Sequence, residues 1–273
     1  MTGPATAKLT FTEAKTLSAT ELRKRIRVGE WTTETVGLGL GQMQANLAIV
    51  PLEDAFDFMR FCQRNPKPCP LITVTDPGDP TSPFFAADAD IRTDLPRYKV
   101  FVNGEAVGSP YDIVEHWQSD SVAFLLGCSL TFEDALLQAG VPLRHLEHDR
   151  KIPVYVSNIQ CTPAGKFAGP MVVSLRGVPG HLVSKAAQIT SRYPWGHGGP
   201  VHVGDPAALG ITDLDDVAFG EPPVLEPGDV PMFWGCGITP QLAAERAKPR
   251  YMITHYPEHM LISDRRSEED AVC

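Results

Sequence analysis

What this chain lacks narrows its chemistry first. The longest apolar runs, such as Val122 to Leu126, stop far short of the roughly 20 residues that a bilayer-spanning helix needs, so no membrane role is expected. The opening Met1-Thr-Gly-Pro-Ala-Thr-Ala-Lys8 has no apolar h-region, and a signal peptide is not expected. Basic residues are in the minority. With 24 Lys and Arg against 33 Asp and Glu, the net charge is −9, which argues against a general nucleic-acid or acidic-membrane surface. The six cysteines (Cys62, Cys69, Cys128, Cys161, Cys236 and Cys273) are too dispersed for a disulfide scaffold. Cys62-x6-Cys69 has no second close pair to complete a structural zinc site. Reduced thiols and a cytoplasmic location are the expectation. Nucleotide motifs fail on context. Gly37-Leu-Gly39-Leu-Gly41 follows no apolar strand, Gly165-Lys166 has no P-loop frame, and no G-x-S-x-G elbow appears.

What is present is a core-forming composition, 43% hydrophobic and 21% charged over 273 residues, enough for one large domain or two small ones. Its most informative feature is a short pattern written twice. Ala123-Phe-Leu-Leu-Gly127-Cys128-Ser-Leu-Thr131 and Pro231-Met-Phe-Trp-Gly235-Cys236-Gly-Ile-Thr239 each read as a strand, Gly-Cys, a Thr N-cap and a helix. That order places a thiol at a strand's C-terminal end near a helix N-terminus. There the dipole and free N–H groups lower a thiol's pKa and attract anions, and open α/β sheets bind ligands at that edge. Two buried structural thiols would give the same pattern.

Around this echo the chain divides. Residues 1–17 are polar and expected to be loose. Ser18-Ala-Thr-Glu21 caps a short helix that closes at Gly29, and Pro51 sits at the N1 position of a helix running to Cys62. Residues 76–97 form a long excursion, and Tyr98 to Val107 is a hairpin about Asn103-Gly104. Strands at 153–158 and 170–175 and a helix at 182–193 make a β-β-α unit, and a strand pair is expected around 252–254 and 260–263. The resulting division is an α/β sandwich domain over 18–139 and 229–273, interrupted by an inserted α+β module over 140–228.

Side-chain chemistry clusters at His197, His202 and Asp205. The spacing fits no zincin pattern, so acid–base or hydrogen-bonding roles outrank metal, and loop-holding histidines remain an alternative. Arg144, Arg176 and Arg192 suit carboxylate recognition, although any one is more often a surface charge. Gln44 and Asn46, before a proline-started helix, either fix a substrate or satisfy a turn.

Further motifs run through nearly the whole chain. They include Gln44-Ala-Asn-Leu47, Phe61-Cys-Gln-Arg-Asn-Pro-Lys-Pro-Cys-Pro70, Phe124-Leu-Leu-Gly-Cys-Ser129 with Phe132-Glu133, Arg144-His145 and Ser157-Asn-Ile159. They continue with Pro163-Ala-Gly165, Gly169-Pro-Met-Val-Val-Ser174, His197-Gly-Gly-Pro-Val-His202 with Gly204-Asp-Pro206, Phe233-Trp-Gly-Cys-Gly-Ile-Thr-Pro-Gln241 and His259-Met-Leu-Ile-Ser-Asp264. On these the chain, from about Arg25 to Asp264, resembles the bacterial "putative hydro-lyase" family, whose domain also occurs in the mitochondrial D-glutamate cyclase of animals. It departs from the family at Gly37–Gln42, where an Ala-Pro-Gly-Tyr type of segment is more usual. The resemblance implies a three-layer α/β sandwich with a smaller two-layer α+β module, and a cofactor-independent carbon–oxygen lyase of amino-acid metabolism. Such an enzyme would take a small carboxylate such as D-glutamate to 5-oxo-D-proline, and homo-oligomers are compatible with it. Site candidates are Cys128, Cys236, His197, His202 and Glu133 for chemistry. Gln44, Asn46, Arg144, Asn158, Arg192 and Asp205 are candidates for binding, with no metal. A two-cysteine racemase or epimerase, and a non-catalytic small-carboxylate binder, are the alternatives.

Overall fold

The computed structural model describes residues 9–272. Strands are β1 (Gln42–Pro51), β2 (Leu71–Val74), β3 (Thr81–Ser82), β4 (Ala86–Asp90), β5 (Tyr98–Val102), β6 (Glu105–Gly108), β7 (Ser121–Gly127), β8 (Val154–Gln160), β9 (Pro170–Pro179), β10 (His202–Val203), β11 (Asp229–Gly235), β12 (Tyr251–His255) and β13 (Leu261–Arg266). Helices are α1 (Phe11–Ala14), α2 (Ala19–Arg27), α3 (Leu52–Arg64), α4 (Glu133–Gln138), α5 (Arg144–Glu147), α6 (Val183–Ser191) and α7 (Ile238–Ala247). The fold is α/β. A seven-stranded sheet runs β2-β7-β1-β12-β5-β6, with β13 also on β1, and a four-stranded sheet runs β10-β11-β9-β8.

Alternation along β1 splits the larger core. Met43, Ala45, Leu47 and Ile49 face one side, against Phe85, Ile91, Leu95 and Tyr98. Ala48 and Val50 face the other, against Phe58 and Phe61 of α3 and Ala243 and Ala244 of α7. The excursion at 76–97 therefore supplies one covering layer, because its apolar side chains are buried against the sheet. The smaller sheet packs Val178, Met232 and Trp234 against α4 and α6 on one face, and Val173, Leu175 and Phe233 under the 209–211 turn on the other.

Local expectations are met where one short-range interaction dominates. Ser18 accepts the Glu21 N–H at 3.2 Å, and Gly29 follows α2 at φ 71°. Asn103 and Gly104 both take positive φ in the β5–β6 hairpin. Others differ. Residues 9–17 are packed rather than loose. Thr10 and Glu13 form a reciprocal cap on α1, and Ala14 is buried with Leu22 and Trp31. Residues 1–8 of the expected tail lie outside the described residues. Pro51 is the N-cap of α3, still in β1. β12 and β13 do not pair with each other; both run antiparallel along β1. The strand at 229–235 pairs with β9 along its whole length, so the second Gly-Cys element belongs to the smaller sheet and not to the sheet that carries the first. Every strand pairing described is antiparallel, so no switch point of a parallel sheet exists here to hold a ligand.

Candidate functional site

Each Gly-Cys pair ends a strand, and each glycine is fixed by a close approach. A Cβ on Gly127 would stand 1.5 Å from the Trp195 carbonyl oxygen, and one on Gly235 would stand 2.8 Å from that of Lys67. The chain beyond each glycine delivers its cysteine into one cavity of about 290 Å³. Cys128, Ser129 and Leu130 come from the end of β7, Cys236 and Ile238 from the end of β11, Ser174 from β9, and Asn46 from β1. Neither threonine is an N-cap. Thr131 lies in a 3-10 turn over Ser129–Phe132, and Thr239 lies inside α7, where its hydroxyl oxygen accepts the Val172 N–H at 2.9 Å.

The two sulfurs share a local geometry. In each case the backbone amide two residues on, that of Leu130 or of Ile238, favours the thiolate. The expected lowering of the thiol pKa does not result. Burial outweighs these amides and pushes Cys128 up to about 12 and Cys236 up to about 11. At neutral pH both are therefore neutral thiols rather than nucleophilic thiolates.

An interruption in one strand line shapes the opposite wall. β12 pairs with Ala48 and Ile49 of β1, and β13 resumes on the same strand at Ala45. Between them residues 256–260 bulge outward, with Glu258 at φ 67°, and Tyr256, Pro257, Glu258 and Met260 line the cavity. Thr35 clasps the bulge. Its N–H donates to the Glu258 carbonyl at 2.8 Å, and its hydroxyl oxygen accepts the Met260 N–H at 3.0 Å. Opposite the gap, Leu47 lacks a strand partner on that side, and the His255 ring takes its place. Nδ1 lies 3.1 Å from the Leu47 nitrogen, 3.3 Å from the Leu47 carbonyl oxygen and 3.2 Å from Gln241 Nε2. Burial lowers His255 to about 4, so the ring facing the cavity is neutral.

Charge enters at the rim and behind the wall. Lys151 bridges Glu34 at 3.0 Å and Glu258 at 3.5 Å, and all three line the cavity. Burial raises the Glu258 pKa despite Lys151. Behind the serines, Arg176 is buried against the rings of Phe132 and Trp234, at 5.2 and 5.7 Å. It pairs with buried Glu133 and donates to Ser129 Oγ at 3.0 Å and Ser174 Oγ at 3.2 Å. Burial opposes ionisation of Glu133, but His145 and Arg176 outweigh it and hold the carboxyl at about 2.

Residues 122–264 match the family model for D-glutamate cyclase. A relative from Stutzerimonas stutzeri, named "Putative hydro-lyase", is 54% identical over 96% of this chain and 98% of its own length. One from Bacillus licheniformis, named likewise, is 52% identical over 92% and 96%. This chain belongs to that family.

Within this hydro-lyase family member, the cavity gathers Cys128, Cys236 and Asn46 from the sequence candidates. Asn46 donates to the Gly127 carbonyl at 2.6 Å, and its amide lies where a Cβ on Gly237 would fall, 2.1 Å away. The others lie off the lining. His197 is buried, bonds the Lys67 carbonyl through Nδ1 at 2.7 Å, and is lowered to about 4 by that burial. His202 bonds the Asp205 carbonyl at 2.7 Å, while the Asp205 carboxylate caps the next turn. Gln44 binds the Thr35 and Leu38 carbonyls. Asn158 donates to the Ala208 carbonyl, and Arg192 to that of Val272. Arg144 is occupied by Asp229, Glu147 and Glu226. Glu133 stands one layer back, on Arg176. The sequence reading passed over His255, Glu258 and Lys151, and treated Ser129 and Ser174 only as letters within motifs.

Proposed function

We propose that the cavity expels water from a small amino acid, closing D-glutamate to 5-oxo-D-proline. In that reaction the amine nitrogen bonds the side-chain carboxyl carbon and a C–O bond breaks. Two protons leave the ammonium group, and two arrive on the departing oxygen, so one group must accept near the amine and another donate near the carboxyl. A half-buried carboxyl of raised pKa, Glu258, suits acceptance. Neutral Cys128 and Cys236 suit donation, and the neutral His255 ring suits hydrogen bonding to a developing oxyanion. The observation that carries the reading is that the two thiols, one from each sheet, line the same cavity as Glu258. Family membership and a volume of about 290 Å³, the size for a small ligand, support it. The test is proton NMR of chelator-treated protein with D- and L-glutamate separately. Product from one isomer above the spontaneous background is expected, and background alone from both would reject the reading.

The matched backbone setting of the two sulfurs favours one second reading, a racemase or epimerase passing a proton across the α-carbon. Burial, which keeps both thiols protonated, weighs against it. Its signature is exchange of the α-proton in D2O without 5-oxoproline.

A further inference from the structure

We infer that Ser129 and Ser174 form a carboxylate-binding pair on the cavity wall, held in register by the Arg176 cation behind them. The inference rests on the cavity being the substrate site, and names which end of the substrate goes where. A serine hydroxyl has one proton and two lone pairs. Arg176 Nη2 donates to Ser129 Oγ at 3.0 Å, and Nη1 donates to Ser174 Oγ at 3.2 Å. The guanidinium carries no lone pair to offer in return, so each hydroxyl keeps its own proton for another acceptor. No other described group bonds either oxygen, although both residues are buried, with 7% and 2% of their surface exposed. Buried hydroxyl protons need an acceptor, and both residues line the cavity.

The surroundings define that acceptor. Arg176 is pinned by Glu133 and by the two aromatic rings, so the fork cannot swing to meet a ligand itself. Among the described residues the only Lys or Arg lining the cavity, Lys151, is already paired with Glu34 and Glu258 at the rim. Two O–H donors backed by a fixed cation fit an anionic oxygen pair. The acidic rim would repel a carboxylate and attract an ammonium group. A zwitterionic amino acid would therefore seat a carboxylate on the serines and turn its amine towards Glu258.

The probe is glutarate, which has both carboxylates of glutamate and no amine to cyclise, titrated calorimetrically against the full chain. Wild-type protein should bind it, and Ser129→Ala and Ser174→Ala should each weaken binding about ten- to a hundredfold, as loss of a hydrogen bond to a charged group does. Binding of the neutral diamide, glutaramide, should be unchanged in both. Arg176 is a positioning residue, so Arg176→Lys should weaken glutarate similarly, and adding Ser129→Ala to it should weaken binding little further. Should Arg176→Lys fail to fold, the serine variants decide alone. Glutarate that does not bind wild type, or binds both serine variants at wild-type affinity, overturns the inference. D-glutamate turnover by the same wild-type sample separates the two ideas. Turnover with serine-independent glutarate binding removes this pair and leaves the cyclase reading; serine-dependent binding without turnover does the reverse.

Discussion

Cys128 and Cys236 are one local structure built on two sheets: each stands just beyond a strand's end, after a glycine pressed against a foreign carbonyl. If the thiols transfer protons, Cys128→Ser and Cys236→Ser should each lower kcat/KM by about 10²–10⁴-fold, the usual contribution of a positioned acid or base. The melting temperature should move little, since serine fills nearly the same space. Turnover and thermal melts on the same samples check this, and full activity in both variants would remove the thiols from the chemistry.

Thiols lifted to about 12 and about 11 by burial should resist alkylation. At pH 8 only about one in a thousand Cys236 side chains would be thiolate, so iodoacetamide should label these two far more slowly than a free cysteine. Their labelling rate should climb tenfold per pH unit while the fold holds. Peptide mass spectrometry reads each site, and fast labelling at pH 7 would contradict the burial described.

Histidine substitutions should split by location. His255→Ala removes the ring from the cavity and unpairs Leu47 and Gln241, so both activity and stability should fall. His197→Ala should cost about 1–3 kcal/mol through its buried carbonyl partner and its cavity, while the folded fraction keeps its kcat. His202→Ala, at a half-buried position in the short strand β10, should change neither strongly. Urea melts together with kcat values corrected for folded protein distinguish the three. A dead but fully stable His197→Ala protein would return that residue to the site.

How much of this was legible follows from range. The Gly-Cys echo and the caps are written within a few residues, so pattern sufficed. His255 owes its place to Leu47, 208 positions away, and to a strand interruption that hydropathy does not record. His197 and His202 drew attention by their density among glycines, yet their rings serve backbone carbonyls, a demand set by tertiary packing. Arg144 and Arg176 look alike in sequence. One is saturated by three carboxylates, and the other is buried behind the two serines. The division at residue 229 failed because strand pairing across β9 and β11 is non-local.

Glu133 makes stability acid-sensitive. Its carboxyl sits at about 2 in the folded protein against an ordinary 4.5, so its contribution is present above about 4.5 and drains away as pH falls towards about 2. Glu133→Gln strands the Arg176 cation in the core and should cost about 3–5 kcal/mol at neutral pH. The variant's stability should also fall less between pH 4.5 and 2. Denaturant melts across that range test both statements, and parallel pH profiles for variant and wild type would refute them.

Gly237 offers a cleaner probe of the wall. Its φ of −64° suits any residue, but an added Cβ would displace the Asn46 amide from the Gly127 carbonyl. Gly237→Ala should therefore impair turnover more than its modest loss of stability, about 1–2 kcal/mol, explains. Turnover in proportion to the folded fraction would make Asn46 a bystander.

The two strands that run along β1, residues 251–255 and 261–266, are among the last of the described chain to leave the ribosome, some 200 positions after their partner. A nascent chain that already carries both cysteines still lacks the centre of its larger sheet, the His255 ring and the bulge that walls the pocket. Such long-range closure is slow and leaves strand edges open meanwhile. Synthesis thus yields no pocket by degrees: it arrives whole, when residues 251–266 dock beside strands made long before.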